Sequence, residues 1–327
     1  MAEHQHFNAL KKRRYAMAQW TLGTVIQGLQ QARHDWRTQQ HRLQEFGGRE
    51  LPSKEVLQRI MNDLCGILFP MRLGPADLHQ EAEDHYIAYT LDRVMTDLHQ
   101  QVKLTLGYES RRQIDLPLLP LTSQQLKQQD QLARVIVQDF AETLPQIRRL
   151  LDADVASAYL GDPAAHSVDE VLISYPGILA VIYHRIAHEL YKSVPLISRI
   201  ISELAHSATG IDIHPGAQIG HGFFIDHGTG VVIGETCIIG ENVRIYQNVT
   251  LGAKRFEKDA NGQLKKDYPR HPIVEDDVVI YAGATILGRI TLGRGSIIGG
   301  NVWLTQSIEA NSVISQSPSL EQSVPAS

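Results

Sequence analysis

Asp212 and His227 stand fifteen residues apart in GIDIHPGAQIGHGFFIDHGTG, and Arg270 and His271 adjoin in PRHPI. An imidazole titrates near neutral pH and can move a proton, and a carboxylate beside it can orient the ring. A guanidinium is shaped to grip a carboxylate through paired hydrogen bonds. Taken singly, His227 reads more readily as a surface imidazole at a turn than as a catalyst, and each acid or arginine as a solvated charge. His184 and His188 lie four apart in HRIAHE, a spacing shared with metal-binding helices. The order is not HExxH and no third ligand accompanies it, so packing or pocket support is the expectation.

The elements that must position these groups fall into two halves with different periods. Before residue 210, apolar residues recur at three and four, as in Ile87, Leu91, Val94, Leu98 and Val102, which is the stripe of an amphipathic helix. That helix is expected from near Pro75 to Gly107. Others are expected over Ser53 to Phe69, Thr122 to Ala141, Pro145 to Tyr159, Pro176 to Lys192 and Pro195 to His206. Asp115 to Leu121, DLPLLPL, reads as an extended linker.

From Ile213 a branched apolar residue returns at every sixth position: Ile213, Ile219 and Ile225; Ile233, Ile239, Ile245 and Leu251; Val274, Ile280, Ile286, Leu292, Ile298 and Leu304. A second small or apolar column follows four residues after most of these, including Ala217, Thr229, Cys237, Val243, Val249, Val278, Ala284, Ile290 and Val302. Period six fits neither a helix nor a hairpin, and it predicts a parallel β-helix whose coils stack like upon like. Gly after the anchor, at 220, 234, 240 and 299, suits a tight corner. Two extra residues break the register between Ile225 and Ile233. The long segment AKRFEKDANGQLKKDYPRHPI is looped out between Leu251 and Val274, with a turn expected at Asn261-Gly262. Because fifteen residues fall just short of one three-hexad coil, adjacent coils can bring Asp212 to His227.

The chain has 327 residues, 43% of them apolar, enough for two domains with cores of their own. The balance of 31 basic against 36 acidic residues, or −5, excludes a bulk polyanion binder, so neither nucleic acid nor a membrane is expected as a partner. Cys65 and Cys237 form no CxxC pair and no disulfide framework. Cys237 falls in an inward column, where a buried apolar role outweighs that of a nucleophile. Lys11 to Arg14 interrupt any secretory signal, and Val171 to Tyr183 is too short and too broken to span a bilayer. A cytoplasmic protein is expected, with a helical domain over 1–209, a β-helix over 210–310 and a short tail over 311–327.

The motifs DIHP, DHGTG, GET, TLG and RHP, in that order on a hexapeptide repeat, resemble the serine O-acetyltransferases. The resemblance covers roughly Gly161 to Leu304. It implies an α+β fold, an α-helical N-terminal domain followed by a left-handed parallel β-helix, which is an exception to right-handed crossovers. It also implies transfer of acetyl from acetyl-CoA to the hydroxyl of L-serine, with no metal. By the same resemblance His227 is the general base, Asp212 the carboxylate that orients it, and His271 a further member of the catalytic group. Asp162, Asp226 and Arg270, with His271, hold the serine ammonium and carboxylate. The N–H groups of Gly252 and Ala253 stabilise the oxyanion, and Ala282 and Gly283 leave room for the pantetheine arm. Lys254, Arg255 and Arg294 are candidates for the coenzyme phosphates, while a lysine common in the family is replaced by Ile297. Direct transfer in a ternary complex is expected.

Homoserine is a rival acceptor. A trimeric zinc carbonic anhydrase on the same prism is a rival enzyme, with His221, His227 and His271 as its imidazoles. Family members form homotrimers or dimers of trimers, with sites between chains. Many end in a tail whose terminal isoleucine enters a sulfhydrylase; this chain ends SQSPSLEQSVPAS, so that complex is not expected.

Overall fold

The computed structural model describes residues 22–39, 51–112 and 122–316. Helices come first: α1 (Leu22–Gln39), α2 (Lys54–Leu68), α3 (Pro70–Leu73), α4 (Glu83–Arg112), α5 (Ser123–Gly161), α6 (Val168–Ser174), α7 (Pro176–Tyr191) and α8 (Pro195–Thr209). α2 starts where the Ser53 hydroxyl accepts the Val56 N–H, and it buries Leu57, Ile60, Met61 and Leu64 at helical spacing. On α4, Val94, Leu98 and Val102 are at most 1% exposed, so the stripe faces the core. The linker read at Asp115 to Leu121 lies outside the described residues.

Two helix expectations need correction, and one helix was not expected. α4 begins at Glu83 after a short 3-10 turn at Gln80–Ala82, not near Pro75, and it runs past Gly107 to Arg112. α5 is one helix of 39 residues where two were expected, because Pro145 sits inside it. Proline removes one N–H donor, but Phe140, Leu144, Ile147 and Leu151 are all buried, so packing on both sides outweighs the lost bond. α6, with Ser167 as its N-cap, is an element the sequence reading did not contain.

α8 ends at Thr209, and among the described residues fourteen short strands follow: β1 (Asp212–Ile213), β2 (Gln218–Ile219), β3 (Phe224–Ile225), β4 (Val232–Ile233), β5 (Ile238–Ile239), β6 (Arg244–Ile245), β7 (Thr250–Gly252), β8 (Ile273–Val274), β9 (Val279–Ile280), β10 (Thr285–Leu287), β11 (Thr291–Leu292), β12 (Ile297–Ile298), β13 (Trp303–Leu304) and β14 (Val313–Ile314). They stack in parallel as three sheets of a prism. The first holds β1, β4, β7, β10 and β13, the second β2, β5, β8 and β11, and the third β3, β6, β9, β12 and β14. Each of the thirteen anchors lies in a strand, and all but Ile219 and Leu304 are buried. Burying each such side chain contributes roughly 1.5–3 kcal/mol before chain entropy is charged. The strands continue beyond Leu304: Ile308 bridges to Leu292, and β14 pairs with β12 inside the segment expected as a tail.

Two details of the repeat also differ. Thr229 is exposed, because the two extra residues shift the register and Val231 takes the inward place. The corner positions with left-handed backbone are not the glycines after the anchors but residues such as Asn242, Asn248, Asp277 and Asn301. Gly220 instead permits close approach, since a Cβ there would lie 2.6 Å from the Gly240 carbonyl oxygen of the next coil.

A buried ion pair welds the halves together. Arg185 of α7 donates from Nε to Asp154 Oδ2 (2.6 Å) and from NH2 to Oδ1 (2.8 Å), and it also reaches the Gly220 carbonyl. Asp154 of α5 accepts the Phe223 N–H at 2.9 Å. Removing one partner of such a pair costs about 3–5 kcal/mol.

Candidate active site

The first register break falls on a candidate site residue. Asp226 donates its N–H to Ile245, while Asn248 donates to Thr229, so Thr229 aligns with Gln247 and the supernumerary residues are His227 and Gly228. They bulge from the edge between the third and first sheets. His227 has φ 58°, a left-handed conformation costly for a non-glycine residue, and its side chain is 70% exposed. Its Nδ1 lies 3.7 Å from Asp226 Oδ1.

Asp162, just past the end of α5, reaches the same edge. It accepts the Ala164 N–H at 2.8 Å and the Tyr175 hydroxyl at 2.5 Å. The Tyr175 hydrogen bond, with the charges of His227 and Arg244, holds the Asp162 carboxyl below its usual value, and the same bond pushes the tyrosine up to about 12. Asp162, Asp226 and His227 are thus brought together. Among the described residues the ion pair at His227 is with Asp226, and none joins it to Asp212. The Asp212 carboxylate lies with Glu203 and His206 of α8, their ligand atoms within 4.8 Å of one another, and Glu203 already pairs with Arg199. Asp226 is the acid whose carboxylate lies beside the exposed ring in the single chain.

The edge between the first and second sheets carries a different group. Arg270 donates to Glu235 Oε2 at 2.5 Å, and Tyr191 from α7 donates to Glu235 Oε1 at 2.9 Å. Burial opposes the Glu235 charge, but these two partners outweigh it and leave the carboxyl below its ordinary value. His271 is 7% exposed and packs against Gly234, where an added Cβ would collide with its ring. Burial, then the Arg270 charge, lowers its pKa to about 4, so the ring is neutral at physiological pH. Arg289 clamps the Thr236 and His271 carbonyls at 2.7 and 3.0 Å. Sequence reasoning missed Tyr175, Tyr191, Glu235 and Thr236 as functional positions. GET was the available signal for the last two.

Gly252 is paired with Leu287 in the first sheet, whereas the Ala253 N–H finds no acceptor among the described residues. Ala282 and Gly283 share the edge that carries His227, and Gly283 donates to the Gln247 carbonyl; Gln247 Oε1 is buried without a partner. Lys254 and Arg255 are exposed, while Arg294 is held by Asp276 at 2.5 Å and by Asp277. Ile297 is 39% exposed. His221, His227 and His271 sit on three different edges, and His221 is paired with Glu241 at 3.1 Å. His184 is buried against His188, which donates to the Pro215 carbonyl, so this pair serves the core.

The family model for bacterial transferase hexapeptide (six repeats) matches residues 271–306. The plasmid serine acetyltransferase of Synechococcus elongatus is 51% identical over 298 residues, covering 91% of each chain. The serine acetyltransferase of Bacillus licheniformis is 50% identical over 168 residues, 51% of this chain and 74% of its own length. Among solved structures, Entamoeba histolytica serine acetyltransferase 1 in complex with L-cysteine aligns with a TM-score of 0.66 at 37% identity, covering 81% of this chain and 87% of that one. The prism is therefore the left-handed parallel β-helix of the hexapeptide transferases, fronted by helices. With half of its residues identical across nine-tenths of its length, the chain belongs to the serine acetyltransferase family.

Proposed function

We propose that the chain transfers acetyl from acetyl-CoA to the hydroxyl of L-serine, giving O-acetyl-L-serine and CoA, the opening step of cysteine biosynthesis from serine. One observation carries the site reading: an exposed imidazole beside an acid stands on one edge of the first sheet, and an arginine–histidine pair stands on the other. The strand between them spans about five residues, roughly 16 Å, and no hydrogen bond or ion pair among the described residues joins the two groups. A cyclic trimer closes that gap, because each copy then sets one edge against the opposite edge of its neighbour.

In that arrangement His227 takes the serine hydroxyl proton as the oxygen attacks the thioester carbonyl, and returns it to the departing thiolate. Asp226 takes the orienting role that the resemblance gave to Asp212. Asp162 and Asp226 hold the ammonium; Arg270 and His271 of the adjoining edge hold the carboxylate. The unpaired Ala253 N–H is available to the oxyanion, next to Gly252. Ala282, Gly283 and the partnerless Gln247 oxygen suit a narrow arm carrying amides, which is the chemistry of pantetheine. L-cysteine in the Entamoeba relative supports the same grip, since it differs from serine only in sulfur for oxygen. Free, buried Cys65 and Cys237 agree with a reducing cytoplasm, and no described helix is long and apolar enough to cross a membrane.

Acetyl-CoA consumption with L-serine and with L-homoserine, side by side, tests the assignment. Serine is expected to be the far better acceptor. Equal or better turnover of homoserine would overturn the substrate assignment, and turnover that requires stoichiometric zinc would overturn the mechanism.

A further inference from the structure

Thr236 makes an unusual number of contacts with one histidine. Its backbone N–H donates to His271 Nδ1 at 3.1 Å, and its Oγ1 lies 2.9 Å from the same nitrogen. That Oγ1 also accepts two backbone N–H groups, from Arg270 at 2.9 Å and from His271 at 3.2 Å. With both lone pairs of the hydroxyl taken, its proton is left to point at Nδ1. Two donors therefore converge on Nδ1, which must act as an acceptor, and the ring proton belongs on Nε2. Nε2 meets no protein partner among the described residues and is not shut away from solvent.

The geometry points to Thr236 as a positioning residue that locks His271 as its Nε2–H tautomer, making His271 a hydrogen-bond donor to the substrate carboxylate and not a second base. The surroundings agree. Arg270 and Arg289 stand close by and discourage protonation of the ring, Glu235 favours it, and burial outweighs Glu235. Gly234 leaves room for the ring, and Arg289 ties together the two coils that carry Thr236 and His271. The GET motif acquires a physical meaning: glycine clears space for the imidazole, glutamate holds Arg270, and threonine decides which nitrogen carries the proton. A donor with fixed direction beside a guanidinium recognises a planar carboxylate, and a neutral ring leaves the guanidinium as the principal cation there.

The identity of the carboxylate rests on the serine reading above, whereas the tautomer does not. NMR on the full-length, 15N-histidine-labelled protein, with His271→Gln used for assignment, reads the tautomer without turnover. Expected are a protonated Nε2 and an unprotonated Nδ1 from pH 5 to 9. A proton on Nδ1, or titration near 6.5, would overturn the lock. Kinetics test the role. Thr236→Val is expected to raise the serine KM about tenfold with kcat within about threefold, and Thr236→Ser to restore it. His271→Gln, which places an N–H near the Nε2 position, should keep more activity than His271→Asn. A fall in kcat at unchanged KM in Thr236→Val, or equal losses in the two His271 variants, would contradict the donor role. If Thr236→Val does not fold, the Ser variant and the tautomer measurement still decide.

Discussion

The two edges of the first sheet use the same side chain in opposite ways. At one edge His227 rides on a two-residue bulge, 70% exposed, with Asp226 beside its ring. At the other His271 is 7% exposed, pressed on Gly234 and fixed at Nδ1 by Thr236. A base must gain and lose a proton in each turnover, which requires an accessible ring. A donor must keep its proton, and enclosure serves that. The proposed roles follow exposure and tautomer more than residue type.

The largest expected effect follows from the exposed edge. His227→Ala should lower kcat with L-serine by about a hundredfold or more, the usual size for a lost general base. Assays across pH check it, and a loss below tenfold would erase the contrast between the edges. At the enclosed edge Gly234→Ala should displace the His271 ring and raise the serine KM about tenfold, with a smaller change in kcat. A variant indistinguishable from wild type would show that the ring's seat does not matter.

A smaller effect separates the edges by stability. His271 and His214 are both lowered to about 4, chiefly by burial. The unfolded chain takes up these protons near the ordinary value of 6.5, whereas the folded chain refuses them until about 4. Stability from these groups is therefore present above about 6.5, declines as pH falls from there to about 4, and levels off below. The Tm at pH 7.5, 6 and 5 should fall in that order, and His271→Gln should flatten the decline. An unchanged slope in the variant would remove His271 from the account.

Much of this was legible in the residues, because a β-helix writes its fold as a period. Inward anchors such as Ile245 and Leu251 need only be branched, apolar and six apart. His227 was singled out by the DHGTG resemblance, whereas the broken period recorded only that two residues are extra between Ile225 and Ile233. Pro145 misled because local helix chemistry was weighed without the apolar face that spans it. Asp212 was tied to His227 by the resemblance, and spacing along the chain only permitted the contact; its strand packs against α8, where its carboxylate lies near Glu203 and His206. Tyr191 and Glu235 lie 44 residues apart and meet only because α7 packs along the prism edge, a contact that no period records.

Subunit complementation tests most directly whether the exposed base of one copy works against the enclosed donors of the next. His227→Ala and the double variant Arg270→Ala/His271→Ala, each nearly inactive, are mixed at equal amounts under conditions that exchange subunits, and acetyl-CoA consumption with L-serine is followed. If the two edges meet between copies, about a quarter of the interfaces are wild type on both sides, and activity should rise toward about a quarter of wild type. Activity that stays at the level of the parents, with exchange shown by mass, would contradict a site shared between neighbouring chains.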